Sequence, residues 1–454
     1  MVEESNLPHG WYCTSLENIA TWGSGGTPSR NVERYFQGTI PWIKTGELGT
    51  MYIKEAAEHI TEEALNNSSA KIFPKGAVGI AMYGATIGKL SIWGMDASTN
   101  QACAVGVPTE AINNEFLYYF LLAEKQKLIK AGKGGAQPNI SQGIVKVWPI
   151  NLPPLPEQNR IVAKIEELFS ELDKSVENLK TARAQLKVYR QALLKHAFVG
   201  KGLVQKRIIA QPFGEECIFT LGDVIQTLGQ GWSPRCLETP SQGDHVWGVI
   251  RTTAIQPLHF DDTKNKQLPN GLAPKPHLEI ISGDVLITRA GPRTRVGIAC
   301  FVKNTRPKLM VCDKAYRLQV DKEKILPQYL VMLLNTSEVL HELEKLKSGI
   351  SDSGLNLTQD KFLMLKIRVP TLEHQKIILD DIEAKLSEAD QLDQTLTTSL
   401  QQAEALRLSI LKKAFSGQLV SQDPHDEPAA ALLARIKAER ANIVAKSSKK
   451  SRGT

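Results

Sequence analysis

The side chains that could do covalent chemistry are few, and none sits in a convincing pattern. Gly84-Ala85-Thr86-Ile87-Gly88-Lys89 spells GxxxGK. It is one residue short of the loop that wraps nucleotide phosphates and lacks the hydroxyl residue that follows the lysine there. Lys89 therefore reads as a surface or phosphate-contacting lysine. Leu152-Pro153-Pro154-Leu155 has neither the Asn/Asp nor the aromatic residue that flank Pro-Pro in amino-methyltransferases. Asp380-Asp381-Ile382-Glu383-Ala384-Lys385 contains the Glu-x-Lys of nucleases, but it opens a helical pattern where acids are favoured by the helix dipole. None of the nine histidines forms an HxxxH pair, and the six cysteines include no CxxC. Neither zinc nor a disulfide framework is indicated, and no glycine fingerprint of a dinucleotide fold follows a strand. The expectation is a recognition and assembly protein without catalytic residues or a metal.

What the chain does offer is hydrogen-bonding side chains on turn-rich segments. Arginine pairs with guanine through two bonds, Asn and Gln with adenine, and both Lys and Arg neutralise phosphates. The candidate DNA-binding residues of the first half are Arg30, Lys44, Thr45, Tyr83, Thr86, Lys89, Lys133, Gln137 and Asn139. Those of the second half are Arg235, Arg251, Thr252, Arg289, Arg293, Thr294, Arg295 and Asn356. The sharpest cluster is Arg289-Ala290-Gly291-Pro292-Arg293-Thr294-Arg295, with three arginines held by Gly and Pro. Each residue taken singly is also an ordinary surface charge. The net charge of +7 permits a polyanionic partner without demonstrating one.

The elements that must position these residues come as an internal repeat. Residues 150–204 return as 367–420, and the offset of 217 holds without a gap from Ile150 over Ile367 to Gly200 over Gly417. Each copy begins with a proline-stiffened lead-in, Leu152-Pro153-Pro154-Leu155-Pro156-Glu157-Gln158 against Val369-Pro370-Thr371-Leu372-Glu373-His374-Gln375. The lead-in predicts a helix starting after Pro156. Apolar residues then recur in threes and fours: Ile161, Ile165, Leu168, Leu172, Val176, Leu179, Leu186, Tyr189 and Leu193. In the second copy they are Ile378, Ile382, Leu386, Ala389, Leu392, Leu396, Leu400, Ala403, Leu406 and Ile410. This is a coiled-coil seam of about 40 residues in each copy, ended by Gly200 and Gly417. A single apolar stripe of that length needs a partner, and an antiparallel pairing of the two copies is the simplest.

The regions before the helices repeat more loosely. Ser15-Leu16-Glu17-Asn18-Ile19 answers to Thr220-Leu221-Gly222-Asp223-Val224. Small-residue turns follow at 23–30 and 229–235, short strands at 42–48 and 249–255, and buried helices at 116–121 and 329–334. Scaffold positions agree while loops differ, as in one frame carrying two recognition surfaces. The fold expected is mixed α/β (α+β): two similar globular domains joined by two long helices in an antiparallel coiled coil. The boundaries are domain 1 at 1–152, helix 1 at 153–204, domain 2 at 205–369, helix 2 at 370–422, and a short C-terminal helix with a basic tail at 423–454. The short helix, 429–440, has an apolar face (Leu432, Leu433, Ile436) that could dock on the chain or on a partner. With no run of eighteen apolar residues and no signal peptide, a cytoplasmic protein without a membrane partner is expected.

These motifs together resemble the specificity subunits of bacterial type I restriction–modification systems. The resemblance spans almost the whole chain. It rests on Leu155-Pro156-Glu157-Gln158, Ala197-Phe198-Val199-Gly200 and Ala414-Phe415-Ser416-Gly417-Gln418-Leu419, together with Leu7-Pro8-His9-Gly10-Trp11 and the 431–440 segment. The second lead-in departs from the pattern at Thr371, Glu373 and His374. The resemblance implies a non-catalytic subunit whose two domains each read one half of a bipartite, asymmetric double-stranded DNA target. The helix pair would set the spacer and dock two modification subunits. Those carry S-adenosylmethionine and methylate adenine. Two restriction subunits, which use ATP and Mg, can join them; no cofactor is bound by this chain itself. An alternative from another class is a DNA-independent coiled-coil scaffold joining two partner proteins. A solitary methyltransferase, which would bind S-adenosylmethionine alone, is a third.

Overall fold

The computed structural model describes residues 7–132, 139–198, 217–349 and 351–450, the side chains of 194–198, 217 and 440–450 excepted. The chain divides into two compact units, Met1–Asn178 with Ser399–Thr454, and Leu179–Thr398.

In the first unit the order is β1 (Tyr12–Ser15), α1 (Leu16–Ile19), β2 (Ala20–Ser24), β3 (Ile40–Ile43), β4 (Tyr52–Ile53) and β5 (Glu58–Ile60). Then come α2 (Glu62–Asn66), β6 (Val78–Ala81), β7 (Leu90–Trp93), β8 (Ser98–Thr99), β9 (Cys103–Pro108), α3 (Asn114–Ala131), α4 (Gln142–Lys146) and β10 (Pro149–Leu152). The main sheet runs β2-β9-β6-β7-β4, beside a smaller β5-β3-β8 sheet and a β1-β10 pair. Strand alternation sends Val78 and Ile80 to one face, against Phe116 and Leu117 of α3. Ala77 and Ala81 go to the other, with Ile43, Trp93 and Val105. Burial on both faces explains why β6 reads as a continuous apolar run.

The second unit repeats this plan. It contains β11 (Cys217–Thr220), α6 (Leu221–Val224), β12 (Ile225–Gln230), β13 (Gly248–Ile250), β14 (Ile255–Gln256), β15 (His259–Phe260), β16 (Asn265–Gln267) and β17 (Val285–Thr288). After these come β18 (Ala290–Gly291), β19 (Ala299–Phe301), β20 (Leu309–Met310), β21 (Ala315–Val320), α7 (Pro327–Leu334), α8 (Ser337–Leu346), β22 (Leu355–Asn356), α9 (Gln359–Leu363) and β23 (Lys366–Val369). Its sheets are β12-β21-β17-β19 and β16-β13-β20, with β11-β23, β14-β15 and β18-β22 as pairs. Val285 and Ile287 face the helix-side core, and Leu286 faces the other.

The long helices are α5 (Leu155–Phe198) and α10 (Leu372–Phe415), 44 residues each. They pack antiparallel, as the seam predicts. In the first unit Arg407 lies 4.5 Å over the ring of Phe169 and pairs with Asp173. In the second, Leu186 packs with Ala389 and Leu396, and Arg183 and Arg190 bond Asp393 and Asp390 at 3.0 and 2.7 Å. Three seam assignments fail: Tyr189, Leu392 and Leu406 are about half exposed. A straight helix drifts relative to a strict 3.5-residue repeat, so Val162, Phe169 and Leu411 take buried places instead.

The start of α5 also differs from expectation. The helix begins at Leu155, with Pro156 inside its first turn, where the missing N–H costs nothing. A buried glutamine pins each helix start in the same way. Gln158 accepts from the Asn113 N–H (2.9 Å) and donates to the carbonyls of Ala111 and Pro153, both 3.0 Å. Gln375 accepts from the Leu326 N–H (2.8 Å) and donates to Lys324 and Pro370, both 2.9 Å.

After α10 the turn is closed by Gly417, whose φ of +72° suits only a residue without Cβ strain. The equivalent Gly200 lies outside the described residues, as does the end of the basic tail. The C-terminal helix α11 (Ala429–Lys450) is longer than expected and docks on its own chain. Leu432, Leu433 and Ile436 are buried in the core of the first unit, and the Ala429 N–H donates to Gly10 O at 3.0 Å. Arg160 pairs with Asp426 at 2.7 Å, and Trp11 Nε1 donates to the buried Glu157 at 3.1 Å.

Candidate functional site

Strand register gathers the segments that carry most of the described candidate residues at one end of the sheets of each unit. In the first unit Ser24 lies opposite Ala104, Ala81 opposite Cys103, Ile80 opposite Leu90, and Ile43 beside Thr99. The segments 25–30, 44–47, 82–89 and 100–102 therefore emerge together. In the second unit Gln230 faces Tyr316, Thr288 faces Ala315, Ile287 faces Ala299, and Val249 lies beside Met310. Residues 231–236, 251–254, 289–298 and 311–314 meet in the same way.

The two ends are built on matching backbone contacts. The Gly26 N–H donates to Thr99 O at 2.9 Å, and the Trp232 N–H donates to Val311 O at 2.9 Å. A Cβ on Gly25 would fall 1.9 Å from Thr99 O, and one on Gly231 2.1 Å from Val311 O. Only glycine allows that approach, which explains the small-residue turn in both copies.

In the first unit Arg30 and Lys44 converge on Glu58, at 2.7 and 2.6 Å. The Arg30 guanidinium also stacks 4.2 Å from the Phe36 centroid and 5.0 Å from that of Trp42. The Lys44 ammonium, and after it Arg30, hold the Glu58 carboxyl below its ordinary range. Thr45, Thr86 and Lys89 are half-buried, and Tyr83 is exposed at the head of a short 3-10 turn. The Ile140 N–H bonds Met82 O at 2.8 Å, which sets the exposed Asn139 beside that turn. Lys133 and Gln137 lie outside the described residues. The strand expected at 42–48 ends at Ile43, and 44–47 is a turn closed by Glu47, which accepts from the Lys44 N–H at 2.9 Å.

In the second unit the three-arginine loop divides its labour. Arg295 is half-buried and donates to the carbonyls of Thr252 and Ile255 and to Gln256 Oε1, which binds the loop to the 252–256 segment. That burial lowers its pKa. Arg289 donates to Asp313 O at 3.0 Å and stacks on Tyr316. Arg293 pairs with Glu344 and with Asp352 at 2.9 Å. Asn356 is exposed on β22, opposite Ala290, and Thr294 is exposed. Arg251 is gripped by Glu238 at 3.3 Å and by its carbonyl at 2.8 Å, while Lys266 takes the same carboxylate at 2.7 Å. Arg235, Arg251 and Thr252 line a cleft of about 570 Å³ together with Lys266, Asp313 and Lys314.

Several polar residues at these ends escape the sequence reading. Lys266 and Lys314 are two. Two pairs are the others: Thr27 with Gln101, and Ser233 with Asp313, each hydroxyl donating to its partner's side chain. The signal available was the Thr27-Pro28 and Ser233-Pro234 that the two glycine turns share.

These ends present donors, cations and a few acids. Among the described residues no cluster of three or more His, Cys, Asp or Glu could hold a metal. Burial pushes the Cys312 thiol at the second end up to about 11, which leaves it a poor nucleophile. Among the described residues no helix is long and apolar enough to cross a membrane.

Comparison with known proteins agrees with this geometry. The family model for the "Type I restriction modification DNA specificity domain" matches residues 8–184. The EcoEI specificity subunit of Escherichia coli is 38% identical over 181 residues, 40% of this chain and only 30% of that subunit. The EcoKI specificity subunit of Escherichia coli strain K12 is 24% identical over 461 residues, 96% of both chains. A chain solved for the structural basis of complex assembly and conformational transition of the type I R-M system shares the fold. Its TM-score is 0.70 at 20% identity, over 91% of this chain and 99% of that one. One specificity domain is matched directly, its architecture is repeated in the second unit, and relatives align along nearly the full length, so the chain is similar to the specificity subunits of type I restriction–modification systems.

Proposed function

We propose that each sheet end reads one half of a bipartite, asymmetric site on double-stranded DNA. The observation that supports this most is the duplication: two ends with matching backbone frames carry different polar side chains. Cations at each end, Lys44 and Lys89 in one and Arg235 and Lys314 in the other, would neutralise phosphates. Residues nearer the loop tips would meet base edges. In this reading the chain supplies no catalytic group. It presents the site to two modification subunits, which carry S-adenosylmethionine and methylate adenine. Two restriction subunits, using ATP and Mg, join the same assembly. The antiparallel helices set the separation of the half-sites. Half-sites about one helical turn apart put both readers on one side of the duplex.

The test is adenine-methylation sequencing of cells that express the chain with its co-encoded modification subunit. A bipartite motif is expected, and replacing residues 289–295 by alanine and glycine should degrade one half only. Adding four residues to both α5 and α10 should change the permitted spacer. A spacer indifferent to that insertion would refute the ruler role, and the absence of any motif would refute DNA reading.

A further inference from the structure

Gln101 and Asp313 occupy the same place in the two repeats. Each stands two residues before the strand that pairs with the centre of its sheet, β9 or β21. Each follows a residue that accepts the matching backbone bond, Thr99 or Val311. Each is met across the sheet end by a hydroxyl from the glycine turn, Thr27 or Ser233. The Asp313 N–H donates back to Ser233 Oγ at 3.2 Å, which fixes that side chain from both sides. The frame is therefore the same, while one side chain is a neutral amide and the other a carboxylate.

An acid here calls for a reason. Arg235, Arg251, Lys266 and Lys314 line the same cleft as Asp313, and the cleft's other acid, Glu238, is paired with Arg251 and Lys266. A carboxylate amid phosphate-neutralising cations weakens binding to a polyanion unless it accepts a hydrogen bond from the ligand. The base-edge group suited to it is the cytosine 4-amino group, and a Gln amide suits the N6/N7 edge of adenine. The hydroxyl on each side chain limits its rotamers, so less entropy is lost when a base is met.

We propose that Gln101 and Asp313 are equivalent specificity-determining residues, reading adenine in one half-site and cytosine in the other, with Thr27 and Ser233 as their positioning residues. This rests on the DNA-reading function proposed above. The experiment is the same methylation sequencing of the full chain with its modification subunit, applied to the near-isosteric Asp313→Asn and Gln101→Glu. Asp313→Asn should change the preference at one base pair of one half, from cytosine towards adenine, by about ten- to a hundredfold. Gln101→Glu should change one base pair of the other half in the opposite sense. In each variant the untouched half is the control for folding and assembly. Ser233→Ala should blur the same base pair that Asp313→Asn alters, whereas a merely structural hydroxyl would lower methylation evenly. Unaltered motifs, or an even loss of methylation with every letter retained, would overturn the assignment while leaving DNA reading intact. A wild-type protein without a bipartite motif would remove both.

Discussion

Replacing Gln158 by leucine isolates what the repeated helix start contributes. Leucine fills nearly the same volume, so the change removes polar partners rather than packing. Gln158 is fully buried and makes three hydrogen bonds, to Asn113 N, Ala111 O and Pro153 O. Each such bond contributes about 1 kcal/mol net, and each buried group stranded by its loss costs about 1–3 kcal/mol. Ala111 and Pro153 are buried and Asn113 is half-buried, so water can reach only the last. The sum is about 4 kcal/mol, against a typical domain stability of about 5–15 kcal/mol.

Native-state hydrogen exchange reads this locally. Amides in α3, β10 and the first turns of α5 should exchange about a thousandfold faster, since each 1.4 kcal/mol is about tenfold. Gln375→Leu should do the same around 324–330 and the start of α10. Exchange that quickens less than about fivefold in both variants would refute the claim that these glutamines anchor the helices to their domains.

Four further outcomes are expected. Arg235→Ala should lower the slope of log affinity against log salt by about 0.9 while every letter of the motif stays, as befits a phosphate contact; DNA titrations at several salt concentrations measure it. Gly25→Ala should abolish reading of the first half-site alone, because its Cβ would meet Thr99 O at 1.9 Å and push the turn off the sheet end; methylation sequencing reports it. Glu157, buried beneath Trp11, has its pKa raised by desolvation, partly offset by bonds from Trp11 and Gln422. A carboxyl raised in the folded state adds stability below the unfolded glutamate value, lost as pH rises through the folded value. Glu157→Gln should remove that slope in urea midpoints taken from pH 4 to 7. Glu58, lowered by Lys44 and Arg30, has the opposite sign: its contribution stands above the ordinary glutamate value and fades as pH falls through the folded one. Glu58→Gln should make acid unfolding of the first unit less steep.

Legibility in the sequence followed periodicity and repetition. The unbroken offset between residues 150–200 and 367–417 disclosed both helices, and their antiparallel packing follows from a stripe that cannot be buried alone. The matched apolar runs at 116–121 and 329–334 located α3 and α7, because a helix buried on most sides is apolar along its length. The job of each loop arginine was not legible. Arg289, Arg293 and Arg295 stand within seven residues, yet Arg295 ends on the carbonyls of a segment about forty residues earlier. Gln101 and Asp313 were missed for the same reason, since their hydroxyl partners lie 74 and 80 residues away. Long-range polar contacts leave no periodic trace. Tyr189, Leu392 and Leu406 show the converse error: heptad spacing marks a stripe, but the pairing geometry decides which of its members are covered.

The repeat divides into what must stay and what is free to change. The buried glutamines, the glycine approach to Thr99 and Val311, and the crossing hydroxyls recur because each satisfies a backbone group or a steric limit that any side chain at the tip would inherit. The charged networks do not recur in detail. Glu58 on β5 gathers Arg30 and Lys44, while Glu238, from the segment after β12, gathers Arg251 and Lys266. The residues behind one tip pack in cores separate from those behind the other. A substitution at Gln101 therefore changes what one end presents without disturbing the frame that presents Asp313. Under the proposed DNA-reading function, preference for the two half-sites can then change one base pair at a time, because the groups assigned to reading are not those that hold the sheet ends together.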